Sequence, residues 1–141
     1  MEKQNILYFN TTVLAYLGDS VYELYVRRHV LEKGLVNADR LHQIAVKYVR
    51  AEAQGGALKE MLEFLTEEEV ALVKRARNKK ISSKPKNVDP VIYKWATALE
   101  ALFGYLYLSE NKDRLEEIIK MTIESIERNK VKQNVRKANT E

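Results

Sequence analysis

"LAYLGDSVYELYVRR", from Leu14 to Arg28, is patterned as a helix interior, yet it sets Gly18 and Asp19 side by side. Gly in a helix interior costs roughly 1 kcal/mol relative to Ala, and Asp about half that or a little more. Leu14, Leu17, Val21 and Leu24 fall at i, i+3, i+7 and i+10, which reads as one apolar stripe. Asn10 or Thr11 is the N-cap type that opens the helix, and "KGLVN" closes it with Gly34 as C-cap. What compensates Gly18 and Asp19 has to lie elsewhere in the chain.

The surrounding sequence is helical too. Asn37 or Asp39 caps a second helix through Leu41, Ile44, Ala45, Tyr48 and Val49, with a break or kink expected at Gly55–Gly56 before it continues to about Phe64. Thr66 with Glu69 is a capping box opening a helix to about Asn78. "KKISSKPKNVD" has no apolar period and reads as a loop. Asp89 and Pro90 are an N-cap and N1 pair opening the apolar "VIYKWATALEALFGYLYL". Asn111 caps a last amphipathic helix carrying Leu115, Ile118, Ile119, Thr122, Ile123 and Ile126, and the tail from about Lys130 is polar and expected to fray. The chain therefore reads as one all-α domain of five to seven helices over residues 1–130, followed by a flexible tail, 131–141.

The 141 residues suffice for a real core, and five Gly and two Pro favour helices over turn-rich folds. With no Cys, disulfides, thiolate zinc sites and cysteine nucleophiles are excluded. The start carries no secretory signal and no apolar run reaches a membrane span, so a cytoplasmic protein is expected. The net charge of +4 is mild, but its distribution is not. "KRARNKKISSKPK" gathers Lys74, Arg75, Arg77, Lys79, Lys80, Lys84 and Lys86 with no acid among them. Such a one-sign cluster attracts a polyanion. Its lack of aromatics suits phosphate and 2′-hydroxyl contacts on a duplex better than single-strand stacking. A loop charged only for solubility is the plainer alternative.

Glu100 is the one acid between Asp89 and Glu110, set in the most apolar helix of the chain. A buried charge must be paired, bound to metal or protonated. Around Asp19 the same-face neighbours are Ala15, Tyr16, Tyr22 and Glu23; around Glu100 they are Ala96, Thr97, Phe103 and Gly104. Small residues flank both acids and let backbones approach. Asp19 and Glu100 are thus expected to meet across a helix crossing, with Gly18 clearing space for the partner helix or a ligand. Two carboxylates in a cleft make a hard-oxygen site suited to Mg²⁺ or Mn²⁺. The plainer alternative, open at this point, is that Asp19 pairs with Arg27, Arg28 or a nearby Lys, and Glu100 with Lys94 or with solvent. His29 and His42 read as surface or boundary residues.

"LAYLGDSVYELYV" resembles the L-E-F-L-G-D motif of ribonuclease III domains, and "WATALEALFGYLYL" resembles that family's second motif, D-x-x-E-A-L-x-G. "RARNKKISSKPKNVDPVIYKWATALEAL" is similar to the Mini-ribonuclease III subfamily, which has the nuclease domain without a double-stranded-RNA-binding domain. The resemblance spans roughly residues 8 to 127. It implies an all-helical homodimer that cleaves double-stranded RNA with Mg²⁺, Mn²⁺ being able to substitute, to leave 5′-phosphate ends. It places the catalytic and metal-holding acids on Asp19 and Glu100 and a dimer-seam aromatic on Tyr16. It implies maturation of 23S ribosomal RNA precursors, with room for a ribosomal protein helper. Full-size relatives carry further acids where this chain has Ala15 and Thr97, which looks like the Mini pattern and leaves fewer carboxylate ligands. The rival reading is a non-catalytic double-stranded-RNA-binding or ribosome-assembly module of the same fold; a third is a helical interaction protein without RNA.

Overall fold

The helix α6, Pro90–Leu108, is apolar on nearly every side, and a helix of that kind must be enclosed by others. In the computed structural model, which describes residues 2–34, 37–80 and 87–140, it is the central element. Leu99, Leu102, Phe103 and Leu106 are buried at its core. Packed on it are α2 (Thr11–Leu31), α4 (Ala51–Met61), α5 (Glu67–Asn78) and α7 (Lys112–Thr140). The short α1 (Lys3–Leu7) inserts Ile6, and α3 (Ala38–Val49) lies on α2. The described residues hold no strand, so the all-α expectation stands.

Local chemistry sets most boundaries. Asn10, Asn37 and Asp89 each accept a backbone N–H from the first turn that follows, and Thr66 with Glu69 forms the full capping box. Asn111 accepts from the Arg114 backbone at the start of α7. Gly34, with φ of 83°, takes the left-handed turn after α2.

Three expectations change. The break between α3 and α4 falls at Arg50, whose ψ of 152° is extended, and α4 runs straight through Gly55–Gly56. Gln54 Nε2 donates to the Val49 carbonyl at 2.7 Å, so a side chain satisfies the end of α3 where neither Gly nor Pro marks it. On α2 the inward line is Leu14, Gly18, Val21, Tyr22, Val26 and Val30, while Leu24 is 69% exposed. Finally, α7 continues to Thr140 instead of ending near Lys130. No Gly or Pro interrupts it, and Lys, Arg and Gln are good helix formers.

The end of α6 has an unusual residue. The Asn111 N–H reaches the Leu106 carbonyl and the Glu110 N–H reaches Tyr107, the paired bonds of a Schellman turn. Glu110 holds the left-handed position, with φ of 59°. A side chain there costs about 1–2 kcal/mol, which Gly avoids. Glu110→Gly is expected to raise stability by about 0.5–1 kcal/mol, read as a higher urea midpoint at unchanged slope.

The α5–α7 contact rests on one buried charge. Arg114 donates Nε to Glu69 Oε2 at 2.9 Å and Nη2 to Oε1 at 2.7 Å, and also to the Phe64 carbonyl. Burial works to raise the Glu69 carboxyl, but Arg114 and the Thr66 N–H outweigh it and hold the group below its usual value. That pair's stabilisation is present above about pH 4.5 and fades as acid protonates Glu69. Arg114→Met leaves Glu69 without its guanidinium and is expected to cost about 2–3 kcal/mol at pH 7. The deficit should shrink when melts are repeated below pH 4.

Candidate active site

The Gly18–Asp19 pair belongs to a helix crossing. A Cβ on Gly18 would stand 1.7 Å from the Glu100 carbonyl oxygen, and one on Gly104 would stand 2.0 Å from the Leu14 carbonyl oxygen. Here α2 and α6 touch backbone to backbone. Gly18 clears space for the partner helix, and the interaction so gained offsets its helix cost.

That contact brings the two acids together. The Asp19 carboxyl stands close enough to that of Glu100 to raise it. Asp19 is exposed and Glu100 partly buried, so one carboxylate faces water and the other closes the site from behind. Burial first, then the hydrogen bond to Asp19 and its charge, push the Glu100 carboxyl up from 4.5 to about 9. Both arginines left open as partners of Asp19 go elsewhere: Arg27 pairs with Glu23 at 2.7 Å and Arg28 with Glu32 at 3.2 Å. Next to the pair, Tyr22 stacks on Phe103 with centroids 4.9 Å apart and donates its hydroxyl to the Tyr48 carbonyl at 2.9 Å. Desolvation, with Tyr48 and Glu100 adding to it, keeps that phenol protonated well above its usual range.

The donor set fits a hard divalent cation. Two adjacent carboxylates, one open to water, leave positions for waters and phosphate oxygens, the usual complement of Mg²⁺. Ala15 is buried, and Thr97 spends its hydroxyl on the Tyr93 carbonyl at 2.9 Å, so neither adds a carboxylate. Among the described residues no cluster of three or more His, Cys, Asp or Glu is poised to hold a metal.

The basic cluster divides. Lys79 donates to Asn10 and, at 2.9 Å, to the Thr12 hydroxyl; Arg75 donates to the Phe9 carbonyl at 3.3 Å. Thr12 lies seven residues before Asp19, about 10 Å along α2 and within about 20° of the same side. Arg75 and Lys79 are therefore anchored at the start of α2, about two turns from Asp19. Arg77 lies over the Trp95 ring at 4.9 Å from its centroid, and Lys59 of α4 is 5.2 Å from the same centroid. Lys59 was not singled out from the sequence, where an isolated Lys on another helix gives no signal. Lys74 and Lys80 are exposed. Lys84 and Lys86 lie outside the described residues. Tyr16 is 83% exposed on the outer side of α2. His29 contacts Glu127 at 2.8 Å and His42 is exposed on α3, as befits boundary and surface residues.

The profile of the Ribonuclease III domain family matches residues 12–111, a stretch that contains both acids. A Streptococcus pneumoniae protein named Mini-ribonuclease 3 is 44% identical over 120 residues, covering 84% of this chain and 94% of its own. Proteins of that name from Brevibacillus brevis and Symbiobacterium thermophilum are 47% and 43% identical, covering 84% and 91% of this chain and 88% and 98% of their own. Among solved structures, a protein from Fusobacterium nucleatum superposes with a TM-score of 0.75 at 33% identity, covering 83% of this chain and 93% of that one.

Proposed function

The chain belongs to the ribonuclease III family, in its Mini-ribonuclease 3 branch, and is an endoribonuclease; from that premise we propose that Asp19 and Glu100 together hold Mg²⁺ and direct cleavage of double-stranded RNA. The observation that carries this reading is the close α2–α6 crossing, where Gly18 lies against the Glu100 backbone and Asp19 is near enough to raise the Glu100 carboxyl.

When bound, Mg²⁺ supplies the charge that lets a water lose its proton near neutral pH and that offsets charge developing on the phosphate oxygens. Mn²⁺ has the same preference for oxygen ligands and can substitute. Exposed Asp19 would face water and the phosphodiester, and Glu100 would hold the cation in its ionised form from the more buried side. The crossing at Gly18 and Gly104 fixes the separation of the two acids, and the Tyr22–Phe103 stack keeps water from reaching them from the core side. In-line attack of water on phosphorus breaks the bond to the 3′ oxygen and leaves a 5′-phosphate and a 3′-hydroxyl. Lys74, Arg75, Arg77, Lys79 and Lys80, with Lys84 and Lys86 of the same basic run of sequence, hold the RNA backbone.

Each duplex has two strands, and a two-fold pair of chains brings one site to each. Support for such a homodimer is the outer line of α2, where Val13, Tyr16, Leu24 and Leu31 are all more than half exposed. Tyr16 is assigned to that seam. The RNA assigned is the precursor of 23S ribosomal RNA in the cytoplasm, with a ribosomal protein as helper, on the subfamily resemblance alone. The test is digestion of structured duplex RNA with end mapping. Cuts in both strands with 5′-phosphate ends, dependent on Mg²⁺ or Mn²⁺, are expected. A folded protein that cuts none of a panel of duplexes with either ion would overturn the reading.

A further inference from the structure

A second strongly basic feature lies away from the cations of α5. Between α3, the start of α4 and the second half of α7 is a cleft of about 590 Å³. Lys47, Arg50, Lys130, Lys132, Arg136 and Lys137 line it, and Glu52 is the one acid in the lining. Lys33 stands beside it, donating to the Tyr48 hydroxyl at 3.1 Å. Burial first, and then the charges of Lys47 and Lys33, hold the Lys130 ammonium below its usual value. Much of this cleft is built by the part of α7 that lies beyond the stretch matched by the family profile.

A concave face with this excess of cations repels itself, and a polyanion relieves that repulsion. The lining favours nucleic acid over an acidic protein. It is lysine-rich and offers amides in Asn129, Gln133 and Asn134, while its large apolar or aromatic residues, Tyr48 and Ile126, are buried and present no exposed anchor of the kind protein interfaces depend on. Position along α2 points the same way. Thr12, where Lys79 docks, lies seven residues before Asp19, about 10 Å along α2 and on nearly the same side, while Lys33 lies in the turn just past the other end of the helix. The acid pair thus has cations beyond it in both directions.

We infer that the cleft between α3 and α7 is a second docking surface for the phosphate backbone of duplex RNA, holding the substrate away from the cut. The inference rests on the duplex-RNA reading but not on catalysis. Its test is therefore binding without cleavage: fluorescence anisotropy of a labelled 40-base-pair RNA duplex in EDTA, at several salt concentrations. The variant Lys130→Gln, Lys132→Gln, Arg136→Gln, Lys137→Gln is expected to bind about tenfold or more weakly near 0.15 M salt. Its log K against log salt should be shallower by about three, close to 0.9 per lost phosphate contact. Glu52→Gln, which removes the lining acid, is expected to bind several-fold tighter than wild type. Circular dichroism confirms that each variant is folded. Unchanged affinity and salt slope in both would overturn the inference, and an acidic protein would then be the occupant to seek. Binding that responds as described, in a protein that fails to cut, would leave this surface standing and count against the proposed catalysis alone.

Discussion

Gly18→Ala is expected to lower the thermal midpoint by about 10–15 °C and to abolish cleavage. The added methyl would lie 1.7 Å from the Glu100 carbonyl oxygen and 2.8 Å from the Gly104 nitrogen, both backbone atoms that no rotamer change can move. The helices must separate or shift, which uncovers the Tyr22, Phe103 and Leu14 packing on either side of the crossing. Overpacking against side chains costs typically 1–3 kcal/mol, and against backbone it belongs at or above that limit. A cost of about 3–4 kcal/mol is a large share of a total of roughly 5–15 kcal/mol. The control is Gly56→Ala on α4, where the new methyl has nothing within 4 Å. There only helix propensity changes, and a gain of about 0.5–1 kcal/mol is expected. Opposite signs from the same chemical change, read in parallel melts, separate close approach from propensity.

The second large effect sets stability against activity. Glu100→Gln is expected to lose about a thousandfold or more in duplex cleavage while still binding duplex RNA, because the cations proposed to grip the backbone are untouched. In the cation-free protein it should be more stable than wild type above neutral pH. Folded Glu100 keeps its proton up to about pH 9, whereas the unfolded chain releases it near 4.5. Wild-type stability without cation therefore falls as pH rises through that interval, and Gln removes the slope. Asp19→Asn should likewise abolish cleavage and retain binding. Urea melts at pH 6 and pH 8.5 in EDTA read the stability half; single-turnover digestion and anisotropy read the other.

How far the sequence carried depended on where the governing physics was local. The caps at Asn10, Asn37, Thr66 and Asp89 are local, and they set boundaries that were readable within a few residues. Gly18 beside Asp19 was legible as a conflict, because no helix keeps that pair on propensity alone, and small residues around Glu100 identified the other side of the crossing. Leu24 was not legible. Its spacing matches the stripe begun by Leu14 and Val21, but the face that α6 covers is turned toward Gly18 and Tyr22, which leaves Leu24 outside. The break at Arg50 depends on the Gln54 side chain reaching Val49, a contact that no composition signal announces. Within the basic cluster the sequence shows charge but not partners: Lys79 is tied to the cap of α2 and Arg77 to Trp95, neither of which periodicity contains. The cleft along α7 was missed because four of its six cations lie between Lys130 and Lys137, a polar stretch that reads as a frayed tail and not as helix lying beside α3.

The claim on which the rest depends is that Asp19 and Glu100 form one cation site. Thermal melts with and without Mg²⁺ test it most directly, with RNA absent. At ten times its Kd, Mg²⁺ adds about 1.4 kcal/mol to a protein that binds it only when folded, several degrees in midpoint. The wild type is expected to show that shift, and Asp19→Asn and Glu100→Gln to show none. Equal shifts in all three proteins would place the cation elsewhere and contradict the account.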